Sequence, residues 1–599
     1  MVSYTYQDRK RASLNLTAPN ASAWSQKYIY DPFSRLTNVT SPAGAFGYDY
    51  STDDTTPAMR SSRSLVRVLN LPNGARITNA FDSVARLTAT VLLKSDDSIL
   101  NSHFYTYNVG NQRTKQTFTA GNATDYTYDP IGQLKTARGK TPGATNRWNE
   151  QFGYAYDAAG NLNFRTNYTM VQTFNVNNLN ELTTVTNNGR LTVAGTTAGL
   201  ATSVTVNTSN AFLYADATFA STNQPWVNGN NTYQAIAADS YGRHDTNSIT
   251  VNLPGTNTFV YDLNGNMRTN GTRIFDYDDE NELIRITEPT AWKSEFAYDG
   301  KMRRRIEKNF RWDAGTSGWA QTNEVRFIYD GNVVLQERDT NNIPQITLTR
   351  GNDLSGRLQG AGGIGGLLAL TSNSKLLADV NAHNYYHSDG SGNMTVLINN
   401  SQMLVAKYLY DPFGNMLSAS GPMAFVNNYR FSSKRIHESS ETYDYLYRWY
   451  TPNLQGWINR DPLGDRGFGL VRHRLALFLA GEPNRYMFVR NRPTIRVDSF
   501  GLEGIKVPEI PDLNPKCAQD PDVAGSYAKL LRCESDSGDG AAEANTICDC
   551  LAQGSDVAQA HCLAKFEKGF QARCNNPSCP PSSPPNQGPP VIPPIIIFP

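Results

Sequence analysis

The sequence predicts an all-β protein: a long sheet of repeated hairpins that spirals and closes on itself, followed by a small, mainly α-helical tail. Three observations carry this prediction. A short strand ending in an aromatic-Asp pair, then a turn, then another strand, recurs through most of the chain. Composition agrees, since only 18% of the 599 residues are charged while Tyr numbers 31 and Gly 46; Tyr favours pleated surfaces and Gly favours tight reversals. Finally, all 7 cysteines lie after Leu502, where the repeats have ended.

The repeat reads Tyr28-Ile29-Tyr30-Asp31-Pro32-Phe33-Ser34-Arg35-Leu36 in an early copy and Tyr126-Thr127-Tyr128-Asp129-Pro130-Ile131-Gly132-Gln133-Leu134 in another. It returns at Tyr154 to Leu162, Phe259 to Met267, Phe275 to Asp278, Phe296 to Gly300, Phe327 to Gly331 and Tyr408 to Gly414. In Tyr-x-Tyr both rings share one face of a strand, because side chains alternate with period two. The Asp bonds nearby backbone amides, and Gly or Asn permits positive φ at the reversal. Leu or Met then restarts an apolar face. One such hairpin cannot bury its aromatic face alone, so copies must stack into a continuous sheet. Irregular spacing argues against a propeller of equal blades.

The charge balance excludes some partners. Lys plus Arg is 55 and Asp plus Glu 54, a net charge of +1, which offers no general attraction to nucleic acid or acidic lipid. No apolar run is long enough to span a bilayer, Ile595 to Phe598 included. Met1-Val2-Ser3-Tyr4-Thr5-Tyr6 lacks the basic start and apolar core of a signal peptide and reads like the middle of a repeat. A start truncated relative to the natural repeat array is the expectation.

The pattern changes near Arg350. Leu354 to Leu368 is dense in glycine but lacks the Gly-Lys-Ser/Thr of a phosphate loop, so close backbone packing is expected there. Tyr429-Arg430-Phe431-Ser432-Ser433-Lys434 and Tyr443 to Tyr450 mix rings with cations. Such blocks can stack on single-stranded nucleic acid; with strand-like alternation and no net charge, cation–π packing inside the sheet is the better reading.

Those two blocks, with Gly456 to Gly464 and Asn484 to Pro493 running into Asp498, resemble the RHS/YD-repeat family and, over residues 351–502, its RHS repeat-associated core. The resemblance implies a hollow β-shell similar to those of bacterial toxin complexes and teneurin-type cell-surface proteins. It also implies a variable C-terminal effector released by self-cleavage, carried out by two aspartates and an arginine from paired Arg-Asp-Pro-x-Gly and Asp-Pro-x-Gly motifs. The matching residues are Arg460, Asp461 and Asp498, with the scissile bond between Leu502 and Glu503. Aspartic-type autoproteolysis is the one enzymatic activity this assigns. The chemistry is sound, since one carboxyl kept protonated beside an ionised partner supplies an acid and a base. Two departures stand against it. Ser499 replaces the second motif's proline, removing a rigid turn, and residues 466–481 lengthen the stretch between the motifs. A turn-forming role for both aspartates is the alternative.

Residues 503–579 form the cysteine-rich variable region, and 580–599 a Pro-rich extended end. Seven basic and twelve acidic residues after Leu502 give −5, unsuited to gripping nucleic acid. Cys517, Cys533, Cys548, Cys550, Cys562, Cys574 and Cys579 read as disulfide candidates in a segment too small for a large core, with one thiol left over. A zinc site competes poorly: there is no Cys-x-x-Cys and only His561 in the tail. A cysteine nucleophile beside His561 rests on adjacency alone. No cofactor and no metal are expected.

The leading functional reading is a secreted or surface-displayed bacterial polymorphic-toxin carrier whose own tail is the encapsulated cargo. Its partners would be a secretion or N-terminal capping protein and an immunity protein. The alternatives are a non-toxic adhesion protein that meets carbohydrate or cell surfaces, and a degenerate fragment. On this reading residues 1–350 are the repeat shell and 351–502 the core that ends at the cut.

Overall fold

A computed structural model describes residues 2–17, 23–50, 65–197, 201–372, 382–462, 484–502 and 504–506. Among these residues there are strands and a few three-residue 3₁₀ turns, with no α-helix. The tail expected to be helical, its seven cysteines and the Pro-rich end lie outside the described residues.

The main sheet has 30 strands. It is an antiparallel meander in which sequence neighbours pair, from Val2–Gln7 with Lys10–Leu16 through to Leu404–Tyr410 with Met416–Ser420. The meander runs through the change of composition at Arg350 without a break, Pro344–Arg350 pairing with Leu367–Ser372.

The recurrent turn explains the recurrent sequence. At Asp129 the Gly132 amide donates to the Asp129 carbonyl at 3.0 Å, and the amides of Ile131 and Gln133 donate to Oδ1 at 3.1 and 2.8 Å. Gly132 has φ +85°, and the strand pairing slips by one residue between Thr127 and Tyr128. The same arrangement forms at Asp31, Asp157, Asp262, Asp389 and Asp411. The aspartate therefore acts as a turn former throughout the repeats, and the fourth residue takes left-handed φ. Non-glycine residues also occupy that position, as at Ser34, Ala85 and Met302, which the Gly-or-Asn expectation had not covered. Gly414 tolerates no such exchange: it has φ +94° and a Cβ there would sit 2.6 Å from the Phe431 ring. Gly414→Ala should lower stability by roughly 2 kcal/mol through left-handed strain and overpacking, read as a shift in urea midpoint at constant m; no shift would contradict this packing.

The expected closure of the sheet is not found among the described pairings. The end strands Val2–Gln7 and Met416–Ser420 each pair only with their sequence neighbour. Side chains pin the first hairpin instead: Tyr4 Oη donates to Asp330 Oδ1 at 3.0 Å and Arg11 Nη1 to Oδ2 at 2.6 Å. The two halves of the meander face each other. Leu14, Val39, Phe46 and Leu92 share a buried cluster with Leu335, Tyr385, Val396 and Ile398.

Residues 427–462 and 484–502 leave the meander and pack against it. Phe431, Tyr443, Tyr445, Tyr450, Trp457 and Phe488 form a buried aromatic cluster with Tyr126, Phe152 and Tyr154 of the repeats. The aromatic-arginine block thus makes interior cation–π contacts, Arg448 lying 4.1 Å from the Trp457 ring centre and Arg304 4.9 Å from that of Trp449.

One element was illegible beforehand. Leu182–Asn188 pairs directly with Thr256–Tyr261, and the chain between them forms two small separate sheets with their own core of Val193, Val204, Val206, Phe219 and Tyr233. Buried Arg147 holds this insertion to the meander, reaching Asp216 at 3.1 Å and Glu150 at 2.8 Å.

Candidate active site

The strand Arg496–Asp498 ends at a tight reversal, and Gly504–Lys506 returns beside it, pairing Asp498 with Gly504. Leu502 therefore lies in the loop of this hairpin, and Glu503 is outside the described residues. Asp498 builds the loop. Its Oδ1 accepts the amides of Phe500, Gly501 and Leu502 at 3.2, 2.8 and 2.9 Å. Three amides on one oxygen set the reversal that the missing proline at Ser499 would otherwise fix. The glycine-dense segment closes over it: a Cβ on Gly362 would stand 1.9 Å from the Ser499 carbonyl oxygen. Buried Lys434 joins the two, donating to Ser499 O at 2.6 Å and Gly362 O at 3.0 Å. Burial pushes the Lys434 ammonium down to about 8.

Both aspartates meet on one guanidinium. Arg448 Nη2 lies 2.8 Å from Asp461 Oδ2 and 3.4 Å from Asp498 Oδ2, and it also donates to the Leu502 carbonyl oxygen. Nε donates to Gly501 O, and Nη1 to Arg485 O at 3.0 Å. Trp457 stacks on the guanidinium, fixing its plane. Nη2 carries two hydrogens and faces three acceptors, which favours protonation of one carboxyl. The environments separate them. The Asp498 side chain is 2% exposed and that of Asp461 18%. Burial, with Asp461 nearby, raises Asp498 above the usual carboxylate range despite Arg448 and the amides of Leu502 and Phe500. A raised Asp498 can hold a proton to give, and Asp461 is the more exposed carboxyl of the pair.

The arginine between the carboxylates is Arg448, where sequence reasoning had named Arg460. Arg460 turns away: a Cβ on Gly265 would lie 3.5 Å from its Cδ and 2.5 Å from Tyr486 Oη. The signal that could have found Arg448 is its place in Tyr445 to Tyr450, ahead of Trp457. The long stretch between the motifs does not separate Asp461 from Asp498, because an inserted segment costs little if its ends stay together. Residues 463–483 lie outside the described residues. Among the described residues no group of His, Cys, Asp and Glu is placed to hold a metal, and no helix is long and apolar enough to cross a membrane.

Fold and site define an antiparallel repeat protein in which residues 427–462 and 484–502 pack against the sheet and bring two aspartates to one hairpin. No family model matches the chain. It is similar over 247 residues to the tRNA3(Ser)-specific nuclease WapA of Bacillus spizizenii, at 26% identity, covering 40% of this chain and 9% of that protein. It is also similar to the putative uncharacterized protein YibJ of Escherichia coli K12, at 29% identity over 142 residues, covering 24% of this chain and 54% of YibJ. Among solved structures it is similar to TcdB2-TccC3-Cdc42 (TM-score 0.34, 15% identity, 84% of this chain and 26% of that one) and to TcdB2-TccC3 without its hypervariable C-terminal region (TM-score 0.35, 15% identity, the same coverage). The chain spans under a tenth of the WapA proteins and about a quarter of the toxin-complex chains it matches.

Proposed function

We propose that the chain is the core-bearing part of an RHS-type toxin shell that cuts itself between Leu502 and Glu503 and frees the C-terminal segment as an effector. The observation that carries this reading is the convergence of Asp461, Asp498 and the Leu502 carbonyl on Arg448. In the step we envisage, Asp461 takes a proton from a water molecule as its oxygen attacks the Leu502 carbonyl carbon. Arg448 stabilises the negative charge that develops on the carbonyl oxygen. As the bond to the Glu503 nitrogen breaks, Asp498 gives its proton to that nitrogen, leaving a Leu502 carboxyl and a free amine. The scissile bond belongs to the same chain, so no association entropy opposes the step.

The domain reading of residues 1–350, 351–502, 503–579 and 580–599 belongs to this proposal, as does an extracytoplasmic, disulfide-forming destination for the tail. The similarity to WapA, a nuclease by name, supports an effector class. It does not set the target, since the match covers so little of that protein.

The test compares cells making the parent chain with cells making Asp498→Asn, with an in-gel check of cleavage. The expected result is slower growth only where the chain is cut. Equal growth despite complete cutting would sink the effector reading and favour the non-toxic surface protein.

A further inference from the structure

Where the two facing halves of the meander meet, one buried polar seam centres on two histidines. Thr90 in Leu87–Leu93 and Asn101 and His103 in Ile99–Tyr107 stand against His387 in Ala382–Ser388 and Thr395 in Met394–Ile398. All five are buried, His103 to 3% exposure and His387 to 1%. The rings lie 5.8 Å apart.

Their hydrogen bonds are all satisfied with both rings neutral. Asn101 Nδ2 donates to His387 Nδ1 at 3.0 Å, so His387 Nε2–H donates to Thr90 Oγ1, also at 3.0 Å. Gln116 Nε2 donates to His103 Nδ1 at 3.3 Å, and His103 Nε2 lies 3.1 Å from Thr395 Oγ1 and 3.2 Å from Asn101 Nδ2; with both Asn101 hydrogens given to His387 Nδ1 and Thr395, Nε2–H donates to Thr395 Oγ1. Thr395 Oγ1 passes its own proton to the His387 carbonyl at 3.2 Å and accepts the second Asn101 hydrogen at 2.9 Å. Each ring thus uses one donor and one acceptor. A second proton on either would set N–H against an amide N–H.

The charges nearest such a proton are cationic, and the Asp411 carboxylate on the cavity beside His103 is taken up by the amides of Phe413 and Asn415. His103 faces Lys407 and Arg113, and His387 faces His103. Asp389 lines the same cavity as His103, but it is engaged by Arg113 and by the amides of Ser391 and Asn393. That cavity, about 50 Å³, also touches Asn101, Thr395 and Lys407 and is polar and large enough to hold a water molecule.

We propose that this seam is a proton-operated latch: uptake of protons by His103 and His387 parts the N-terminal strands from the strands of 382–398, so the body opens in acid and stays closed near neutral pH. Burial first, then the cations, lowers His103 to about 3, and burial with His103 lowers His387 well below the ordinary range. The sign follows from a base whose folded value is depressed. The latch contributes fully above the unfolded histidine value of about 6.5 and weakens as pH falls from there towards about 3. Each ring supplies about a tenfold change in the opening equilibrium per pH unit, about a hundredfold for the pair.

Native-state hydrogen exchange of the full chain between about pH 7 and about pH 5 tests this. The parent should show opening of 99–107 and 382–398 that steepens on acidification by that factor. His103→Gln and His387→Gln should each remove about tenfold per unit, while His437→Gln, in a separate buried site, should leave the slope at the seam unchanged. The same slope in the double variant as in the parent, or no response to acid, would overturn the latch. Should the variants fail to fold, imidazole ¹⁵N shifts of the parent decide: both rings neutral near pH 7 is expected, and a charged ring contradicts the proposal.

Discussion

Replacing Asp498 by Asn leaves the chain uncut, or slows cutting by about 10²–10⁴-fold, the usual worth of a general acid or base. Asn cannot give a proton to the leaving amine, but its carbonyl oxygen still accepts the amides of Phe500, Gly501 and Leu502 that shape the loop. The hairpin should therefore persist while the chemistry stops. Asp461→Asn should act the same way through loss of the base. The arginines separate geometry from motif. Arg448→Met removes the group bound to both carboxylates and to the Leu502 carbonyl, and should cost about 10²–10³-fold, as loss of an oxyanion donor does. Arg460→Met, whose side chain lies along Gly265 and Tyr486, should stay within a few-fold of the parent. The reverse ranking, measured by the rate of fragment appearance in freshly folded protein, would return the role to Arg460.

The second large effect is structural. Arg435 Nη1 lies 2.9 Å from Glu307 and its Nε 2.9 Å from Glu337, while Arg304 bridges Glu307 at 3.0 Å and Asp444 at 3.1 Å. Tyr429 Oη adds a bond to Glu337 at 2.7 Å. This buried network fastens residues 429–444 to strands 304–338. Burial alone would raise the Glu307 carboxyl, yet Arg435 and Arg304 hold it at about 2. Its contribution is present above the unfolded value of about 4.3 and lost as pH falls towards about 2. Arg435→Ala strands two buried carboxylates and should cost about 3–5 kcal/mol. Denaturant unfolding near neutral pH measures it, and a loss below about 1 kcal/mol would mean that the charges are already solvated.

Much of the fold was legible because the repeat couples two local rules. Tyr-x-Tyr fixes a strand face, and Asp with a left-handed residue three places later fixes the reversal, so a meander follows from neighbours alone. What neighbours cannot specify was missed. The insertion between Asn188 and Thr256 hides because its strands obey the same alternation as those of the meander. Closure of the sheet was expected from repetition, yet edge pairing depends on the path of the whole ribbon, and here Asp330 holds the first hairpin through side chains. At the site, the motif led to Asp461 and Asp498. Arg448 lay outside any motif, and only the fold brings it beneath the Leu502 carbonyl. Ser499 looked disabling because proline is a local turn signal; Lys434 and the glycine-dense segment hold that turn from a distance.

The central claim is a cut at one bond, and the intact mass of the purified full-length chain under denaturing conditions tests it most directly. The account predicts two species in the parent, one ending at Leu502 and one beginning at Glu503, and a single full-length mass in Asp498→Asn. A folded parent that remains one full-length species would contradict it, and would leave Arg448 and the two aspartates as a structural clamp on the last hairpin.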